Sequence, residues 1–196
     1  MRSRSSIERY DQRAPGYEEG TLGRWHSEIV QRTAALTSTV LSETGVVLDI
    51  GCGSGALLRL LEPCRAKALL GVDPSPRMLT VAISHPGRGQ AVFAKAVAEA
   101  LPYPSATCDV VVSSVSFGHW ADQMRGLLEC RRVLVEGGSL VLVDVFSRWL
   151  NVATRRGNRL SAHTKGRTTA LLRQAGFHST EWHGIYGNVI AAVVAS

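Results

Sequence analysis

Val46-Val47-Leu48-Asp49-Ile50-Gly51-Cys52-Gly53-Ser54-Gly55-Ala56-Leu57-Leu58 is the stretch that decides the fold. Its first half is a continuous apolar run, the pattern of a strand buried on both faces, and its second half sets three glycines within five positions ahead of an apolar, helix-like tail. The reading is strand, tight loop, helix. Such a loop needs glycine because some residues must take positive φ and because the backbone must approach a ligand with no Cβ in the way. The N–H groups that open the following helix then face polar ligand atoms.

The spacing Gly51-x-Gly53-x-x-Ala56 also satisfies the dinucleotide-binding fingerprint, so the loop alone leaves two ligand classes open. Two acids separate them. Asp49 sits two residues before the first glycine, at the carboxyl end of the strand, where it would face a pyrophosphate; a ligand with a cationic end tolerates an acid there and a diphosphate does not. Leu69-Leu70-Gly71-Val72-Asp73-Pro74-Ser75 is a second short strand ending in Asp73, about 20 residues beyond the loop and placed to accept hydrogen bonds from ribose hydroxyls. Together the acids describe an adenosine-containing ligand without a phosphate bridge.

Val47-Leu-Asp-Ile-Gly-Cys-Gly-Ser-Gly55, Gly71-Val-Asp-Pro-Ser75, Ala98-Glu-Ala-Leu-Pro-Tyr-Pro104, Asp109-Val-Val-Val-Ser-Ser114 and Leu134-Val-Glu-Gly-Gly-Ser-Leu-Val-Leu-Val-Asp144 follow in that order. This series resembles the successive motifs of the class I S-adenosylmethionine-dependent methyltransferases, in particular the small-molecule branch that includes quinone-biosynthesis enzymes. The resemblance covers roughly residues 40 to 146. It implies an α/β fold: a Rossmann-like, doubly wound, mostly parallel seven-stranded sheet with a C-terminal antiparallel hairpin and helices on both faces. It also implies S-adenosyl-L-methionine as cofactor, S-adenosyl-L-homocysteine as product, and no metal. The cofactor-binding residues are then Asp49, Gly51, Cys52, Gly53, Gly55, Asp73, Pro74, Met78, Ala98, Glu99 and Ser114, with Tyr17 from the N-terminal arm. In the family the turn after the third strand begins with an aspartate that takes the adenine amino group. This sequence has Val97 there, which leaves backbone groups, or Glu99 reaching round, to do so.

At 196 residues the chain suits one domain with a substantial core. No apolar run spans a bilayer and the start, Met1-Arg-Ser-Arg-Ser-Ser-Ile-Glu-Arg-Tyr10, lacks the apolar centre of a secretion signal, so the expected location is cytoplasmic. Cys52, Cys64, Cys108 and Cys130 show no C-x-x-C spacing, which speaks against zinc and against a disulfide framework. The net charge of +6 follows from arginine richness and is weak evidence for a polyanionic partner, but its distribution is uneven. Arg148, Arg155, Arg156, Arg159, Lys165 and Arg167 share a segment with no acid between Asp144 and Glu181. They read as a solvated face, as binders of a carboxylate or phosphate on a small acceptor, or as an RNA-facing strip.

In chain order the expected domain divides into an N-terminal arm or lid (1–24), a cofactor-binding core (25–146), an acceptor-side insertion (147–167), and a final helix and hairpin (168–196). The arm is polar and read as mobile with one short helix; in the resembling family such arms fold over the cofactor, where Tyr17 or Tyr10 could lie against a sulfonium. Both tyrosines equally suit ordinary packing. A helix follows over 25–42 with Trp25, Ile29, Leu36 and Val40 on one face, then strand one over 46–50 with its helix to about 62, and strand two over 68–72. Ser75-Pro76 starts a helix carrying Met78, Leu79 and Ala82, which Pro86 and Gly87 end. Strand three is Ala91 to Val97 and strand four Asp109 to Ser113. The next helix, 122–134, turns Met124, Leu127, Leu128 and Val133 inward, and Gly137-Gly138 closes its connection to strand five, 140–146. Thr168 to Ala175 is a short helix, and strands over 178–186 and 189–194 meet at Gly187-Asn188, a two-residue hairpin signal.

Methyl transfer from a sulfonium gains most from alignment and exclusion of water, and a base helps only where the acceptor must lose a proton. His119, in Phe117-Gly118-His119-Trp120 after strand four, is the best-placed base. Its ring equally suits a purely structural hydrogen bond. The family often has a second histidine at the position of Gly118, and its absence argues against a two-histidine mechanism. His163, His178 and His183 read as structural or exposed, while Trp120, Trp149, Trp182 and Tyr186 are candidates for the wall of an acceptor pocket. The expected partner is a small-molecule acceptor, which the basic segment would suit if anionic, with no membrane. The alternatives are a nucleic-acid methyltransferase, against which stands the lack of N/D-P-P-Y after strand four and of a Pro-Cys nucleophile, a non-catalytic S-adenosylmethionine-binding regulator, and, third, a nicotinamide oxidoreductase.

Overall fold

The computed structural model describes residues 2–17, 19–42, 44–64, 66–85, 91–146, 164–187 and 189–196. Its strands are β1 (Val46–Ile50), β2 (Ala68–Asp73), β3 (Ala91–Lys95), β4 (Cys108–Ser114), β5 (Leu134–Val145), β6 (Thr180–Tyr186) and β7 (Ile190–Ala195). They form one seven-stranded sheet in the order β3-β2-β1-β4-β5-β7-β6. β1 to β5 pair in parallel and β7 runs antiparallel to both β5 and β6, as the expected fold class requires. The strand order reverses between β1 and β4, and a crevice opens at the carboxyl ends of strands at such a point.

The helices are α1 (Arg2–Arg13), α2 (Gly20–Val40), α3 (Ala56–Leu61), α4 (Pro76–Ser84), α5 (Gln123–Val133) and α6 (Lys165–Gln174). Because successive side chains in a strand point to opposite faces, each central strand feeds two cores. Val47, Val110, Val112, Val141 and Val143 pack with Ile29 and Val30 of α2 and Leu57, Leu58 and Leu61 of α3. Leu48, Ile50, Val111, Leu140 and Leu142 pack with Leu127, Cys130 and Val133 of α5 and Leu172 of α6. That double coverage is why these strands read as unbroken apolar runs. All four cysteines are free thiols and three of them are buried.

Several boundaries differ from the sequence expectation for identifiable reasons. The N-terminal arm carries a helix of 12 residues, α1, followed by a 3-10 turn at Ala14–Gly16, rather than one short helix. α2 begins at Gly20 and not at residue 25. Gly137-Gly138 lies inside β5: pairing passes from Cys108↔Leu134 to Val110↔Ser139, so the glycines form an irregularity within the strand and not a link before it. Leu128 is 49% exposed, because Leu127, Cys130 and Val133 are the residues α5 turns inward. β3 ends at Lys95, two residues early. Tyr186 pairs with Ile190, so three residues and not two close the hairpin. Pro86, Gly87, Trp149 and His163, and the insertion up to residue 163, fall outside the described residues.

α5 starts at an Asp122 cap whose side chain accepts from the Arg125 N–H at 3.1 Å. One turn in, Gly126 lets the Trp120 ring lie against the helix: a Cβ there would come within 2.4 Å of Trp120 Cε3. Gly126→Ala is expected to displace that ring and to destabilise the chain by about 1–3 kcal/mol in chemical denaturation.

Candidate functional site

The chain leaves β1 at Ile50 and coils through the glycine loop. Gly51, with φ +75°, begins the coil, and both its N–H and that of Cys52 donate to Val72 O at 2.8 and 3.0 Å, tying the loop to the end of β2. The Gly53 N–H donates to Asp73 Oδ2 at 3.0 Å and the Ser75 N–H to Asp73 Oδ1 at 2.8 Å. Each Asp73 oxygen thus keeps a lone pair for a further donor. Burial raises the Asp73 carboxyl above its ordinary value, and the two N–H bonds oppose that shift.

Asp49 is the more unusual group. It is 2% exposed, and its Oδ1 lacks any hydrogen-bond partner among the described residues while the side chain lines the cavity. Burial, with the Asp73 charge adding to it, pushes its pKa up to about 8. An unpartnered buried carboxyl oxygen is costly, and here it faces the cavity, where a ligand's donor can reach it.

The opposite wall is the exit of β4. Val115 takes φ +54°, a left-handed conformation disfavoured for a β-branched residue, and its N–H donates to Val143 O at 2.8 Å. Ser116 Oγ lies 2.9 Å from Ile50 O, 2.6 Å from Ser113 Oγ and 3.4 Å from Trp120 Nε1, which fastens the β4 exit to the end of β1. The next turn, Phe117–His119, is held from below by Asp144 near the end of β5, whose Oδ2 accepts from the Gly118 N–H at 2.8 Å. Burial lifts the Asp144 carboxyl to about 6 against the pull of the Val145, Gly118 and Phe117 backbone N–H groups. His119 therefore projects at the cavity rim, its pKa lowered by burial and then by the Arg9 charge.

α1 and the following turn roof the crevice. Tyr10 Oη lies 3.1 Å from His119 Nε2, and Asp11 Oδ1 accepts from Ser75 Oγ at 2.5 Å. Tyr17 packs edge-on against Tyr10 at 6.1 Å and against His26 of α2 at 5.0 Å.

Asp49, Gly51, Cys52, Gly53, Asp73, Pro74, Met78, Ala98, Glu99, Ser114, Tyr17 and His119, drawn from stretches far apart in the chain, line this one cavity. Gly55 does not. With φ +78° it sits behind the loop, and a Cβ there would meet Phe93 at 3.0 Å and Ala82 at 3.3 Å, so it serves close packing of α3 against the sheet. Glu99 lines the wall, but its Oε1 accepts from the Asp122 N–H at 2.9 Å and its backbone oxygen from Arg125 Nε at 3.1 Å. Trp182 packs on Phe146 at 4.9 Å with Lys165 over its ring, and Tyr186 packs on Trp25 at 6.1 Å, both away from the cavity; of the four candidate aromatics Trp120 alone lines it among the described residues. His26, Asp11, Ser75, Val115, Ser116 and Asp144 went unassigned in the sequence. Asp144 had a visible signal, since it is a third acid at the carboxyl end of an apolar strand, after Asp49 and Asp73. Among the described residues no cluster of histidine, cysteine, aspartate or glutamate could hold a metal ion, and no helix is long and apolar enough to cross a membrane.

A doubly wound sheet whose switch point carries a glycine loop flanked by two buried acids defines a Rossmann-like, nucleoside-binding enzyme of the methyltransferase type. Residues 48–142 match the family model described as a methyltransferase domain. The chain is 35% identical over 116 residues to demethylmenaquinone methyltransferase of Deinococcus radiodurans, across 58% of this chain and 48% of that protein. It is 28% identical to the ubiquinone/menaquinone biosynthesis C-methyltransferase of Campylobacter jejuni, across 72% and 64% of the two chains. The chain spans about half the length of the curated relatives it matches. In fold it superposes with a TM-score of 0.83 on a chain from the complex of the Haloferax volcanii Trm112 methyltransferase activator with a putative methyltransferase, at 20% identity and covering 95% of this chain and 96% of that one. Residues 48–142 thus carry a methyltransferase domain, and over that region the chain is similar to S-adenosylmethionine-dependent methyltransferases of quinone biosynthesis.

The residues present suit the cofactor of that family. An unpartnered buried carboxyl at Asp49 fits an ammonium or sulfonium charge, and the free lone pairs on Asp73 fit a ribose diol. Two buried acids side by side repel a diphosphate.

Proposed function

We propose that this chain transfers a methyl group from S-adenosylmethionine to a small-molecule acceptor by in-line displacement. Bound S-adenosylmethionine supplies an electrophilic methyl carbon on a sulfonium. The protein aligns and desolvates. Asp49 holds the cationic amino-acid end, Asp73 the ribose hydroxyls, the Gly51–Gly53 backbone the intervening atoms, and Pro74, Met78, Ala98 and the Glu99 backbone the base. His119 faces the acceptor and takes a proton where the acceptor must release one. The observation that carries this reading is the Asp49 Oδ1 atom, buried in the cavity wall without a partner.

Asp73→Ala is expected to weaken S-adenosylhomocysteine binding by at least ~1 kcal/mol in calorimetry, the scale of a lost charge-assisted hydrogen bond. Unchanged affinity would place the ribose elsewhere. The functional test is incubation with methyl-labelled S-adenosylmethionine and a panel of acceptors, starting with the demethylmenaquinone named in the Deinococcus relative. Label in the organic product with matching S-adenosylhomocysteine is the expected result. Tight S-adenosylhomocysteine binding with no transfer to any acceptor, RNA included, would favour a non-catalytic cofactor-binding protein; transfer to RNA alone would favour the nucleic-acid reading.

A further inference from the structure

Two consecutive residues of α1 grip opposite walls of the cavity. Tyr10 reaches the β4 side, where its hydroxyl lies 3.1 Å from His119 Nε2 and its ring lies edge-on to the imidazole at 5.5 Å. Asp11 reaches the β2 side, where its Oδ1 accepts from Ser75 Oγ at 2.5 Å and from the Arg77 N–H at 3.4 Å, both at the start of α4. The helix is thus clasped across the crevice by one residue on each wall, and the β4-side clasp falls on the ring nitrogen that the acceptor's proton would need.

We infer that Tyr10 is a positioning residue: with α1 seated it donates its hydroxyl hydrogen to His119 Nε2, fixes the imidazole with its proton on Nδ1, and holds the place that an acceptor's own O–H or N–H group takes when it displaces Tyr10. Burial, and then the Arg9 charge, disfavour the imidazolium form of His119. Burial also keeps the Tyr10 phenol protonated, outweighing the Arg13 and Arg9 charges, and the carboxylates of Asp144 and Asp73 act in the same sense as burial. A neutral phenol can donate to an unprotonated Nε2 at 3.1 Å, and this is the tautomer we assign. Asp144, which holds the Gly118 N–H, keeps the turn bearing His119 in register with Tyr10. Closure of α1 therefore reaches the candidate base directly. The acceptor part of this inference rests on the methyltransferase reading; the Tyr10–His119 part does not.

The test needs no acceptor. The full chain labelled with nitrogen-15 histidine, with the His119 signals assigned through His119→Gln, reports the tautomer by chemical shift. The expected result is a single neutral tautomer with unprotonated Nε2 in the parent chain, and a mixture of both tautomers in Tyr10→Phe. Asp11→Ala, which removes the acceptor of Ser75 Oγ and the Arg77 N–H without touching His119, should move the His119 signals part of the way and speed proteolytic cleavage within α1. Release of S-adenosylhomocysteine should also become about fivefold faster in either variant, the effect of one net hydrogen bond. His119 signals identical in the parent and Tyr10→Phe would overturn the inference. Should Tyr10→Phe fail to fold, unchanged His119 signals in Asp11→Ala alongside faster cleavage of α1 would overturn it equally. A chain that shows the tautomer change but binds no S-adenosylhomocysteine would refute the methyltransferase reading and leave the Tyr10–His119 contact standing.

Discussion

Asp49→Asn should raise the melting temperature of the ligand-free chain at pH 8 and weaken S-adenosylmethionine binding by about tenfold or more. Both effects come from one carboxyl. Asp49 titrates near 4 in the unfolded chain and is pushed to about 8 in the fold, chiefly by burial. A carboxyl whose folded pKa is raised contributes stability that is fully present below pH ~4 and is lost as pH rises through about 8, because the folded chain must then bury the charge. Asparagine has the same shape and never ionises. Its advantage over aspartate therefore widens between pH 4 and pH 8, and ~2 kcal/mol at the upper end corresponds to a rise of about 4 °C or more. Binding has the opposite sign. A cation prefers ionised Asp49, so the parent chain should bind more tightly as pH rises toward 8 and release a proton on binding at pH 7. Calorimetry in buffers of different ionisation enthalpy measures that proton directly, and Asp49→Asn should release none. A variant that bound normally, or a parent chain whose affinity was flat from pH 6 to 8, would remove Asp49 from the cation's environment.

Gly51→Ala carries the second large effect. At φ +75° any side chain is strained, and here a Cβ would also lie 2.5 Å from Ser116 Cβ and 2.6 Å from its Oγ. Ser116 has no room to yield because its hydroxyl is fastened to Ile50 O, Ser113 and Trp120. Conformational strain and overpacking together should cost ~3 kcal/mol or more, lowering the melting temperature by roughly 10 °C, with loss of cofactor binding as the loop leaves β1. Gly137 supplies the control: it has the same φ of +75° and nothing within 4 Å of an added Cβ. Gly137→Ala should therefore cost only the conformational share, about 1–2 kcal/mol, and leave binding unchanged. Equal losses at the two positions would show that the contact with Ser116 does not matter.

What could be read from the sequence, and what could not, follows from the range of the forces involved. β1 at Val46–Ile50 and the Ser75-Pro76 start of α4 were legible because each is fixed locally, by an unbroken apolar run in one case and by a cap with a first-turn proline in the other. The Ser75 side chain accepts from the Met78 N–H at 3.1 Å as the pattern requires. The paired acids Asp49 and Asp73 were legible for the same reason, since each lies at the carboxyl end of a strand. Gly137-Gly138 misled because a glycine pair signals a link and a strand irregularity equally well; only pairing with β4 separates them. Gly51 and Gly55 share positive φ and the same glycine-rich loop, yet one faces the cavity and the other faces Phe93, a difference set by what lies across the fold. His26, and the contact of Tyr10 with His119, were beyond reach in the same way, because a polar helix acquires a functional face only when another wall is brought beneath it.

The most direct test of the central claim is a crystal structure of the chain with S-adenosylhomocysteine. It should show the ribose hydroxyls on the Asp73 carboxylate, the amino-acid end beside the glycine loop with its ammonium toward Asp49 Oδ1, and the sulfur turned toward His119. A ligand seated elsewhere, or a dinucleotide whose diphosphate fills the loop in its place, would contradict it.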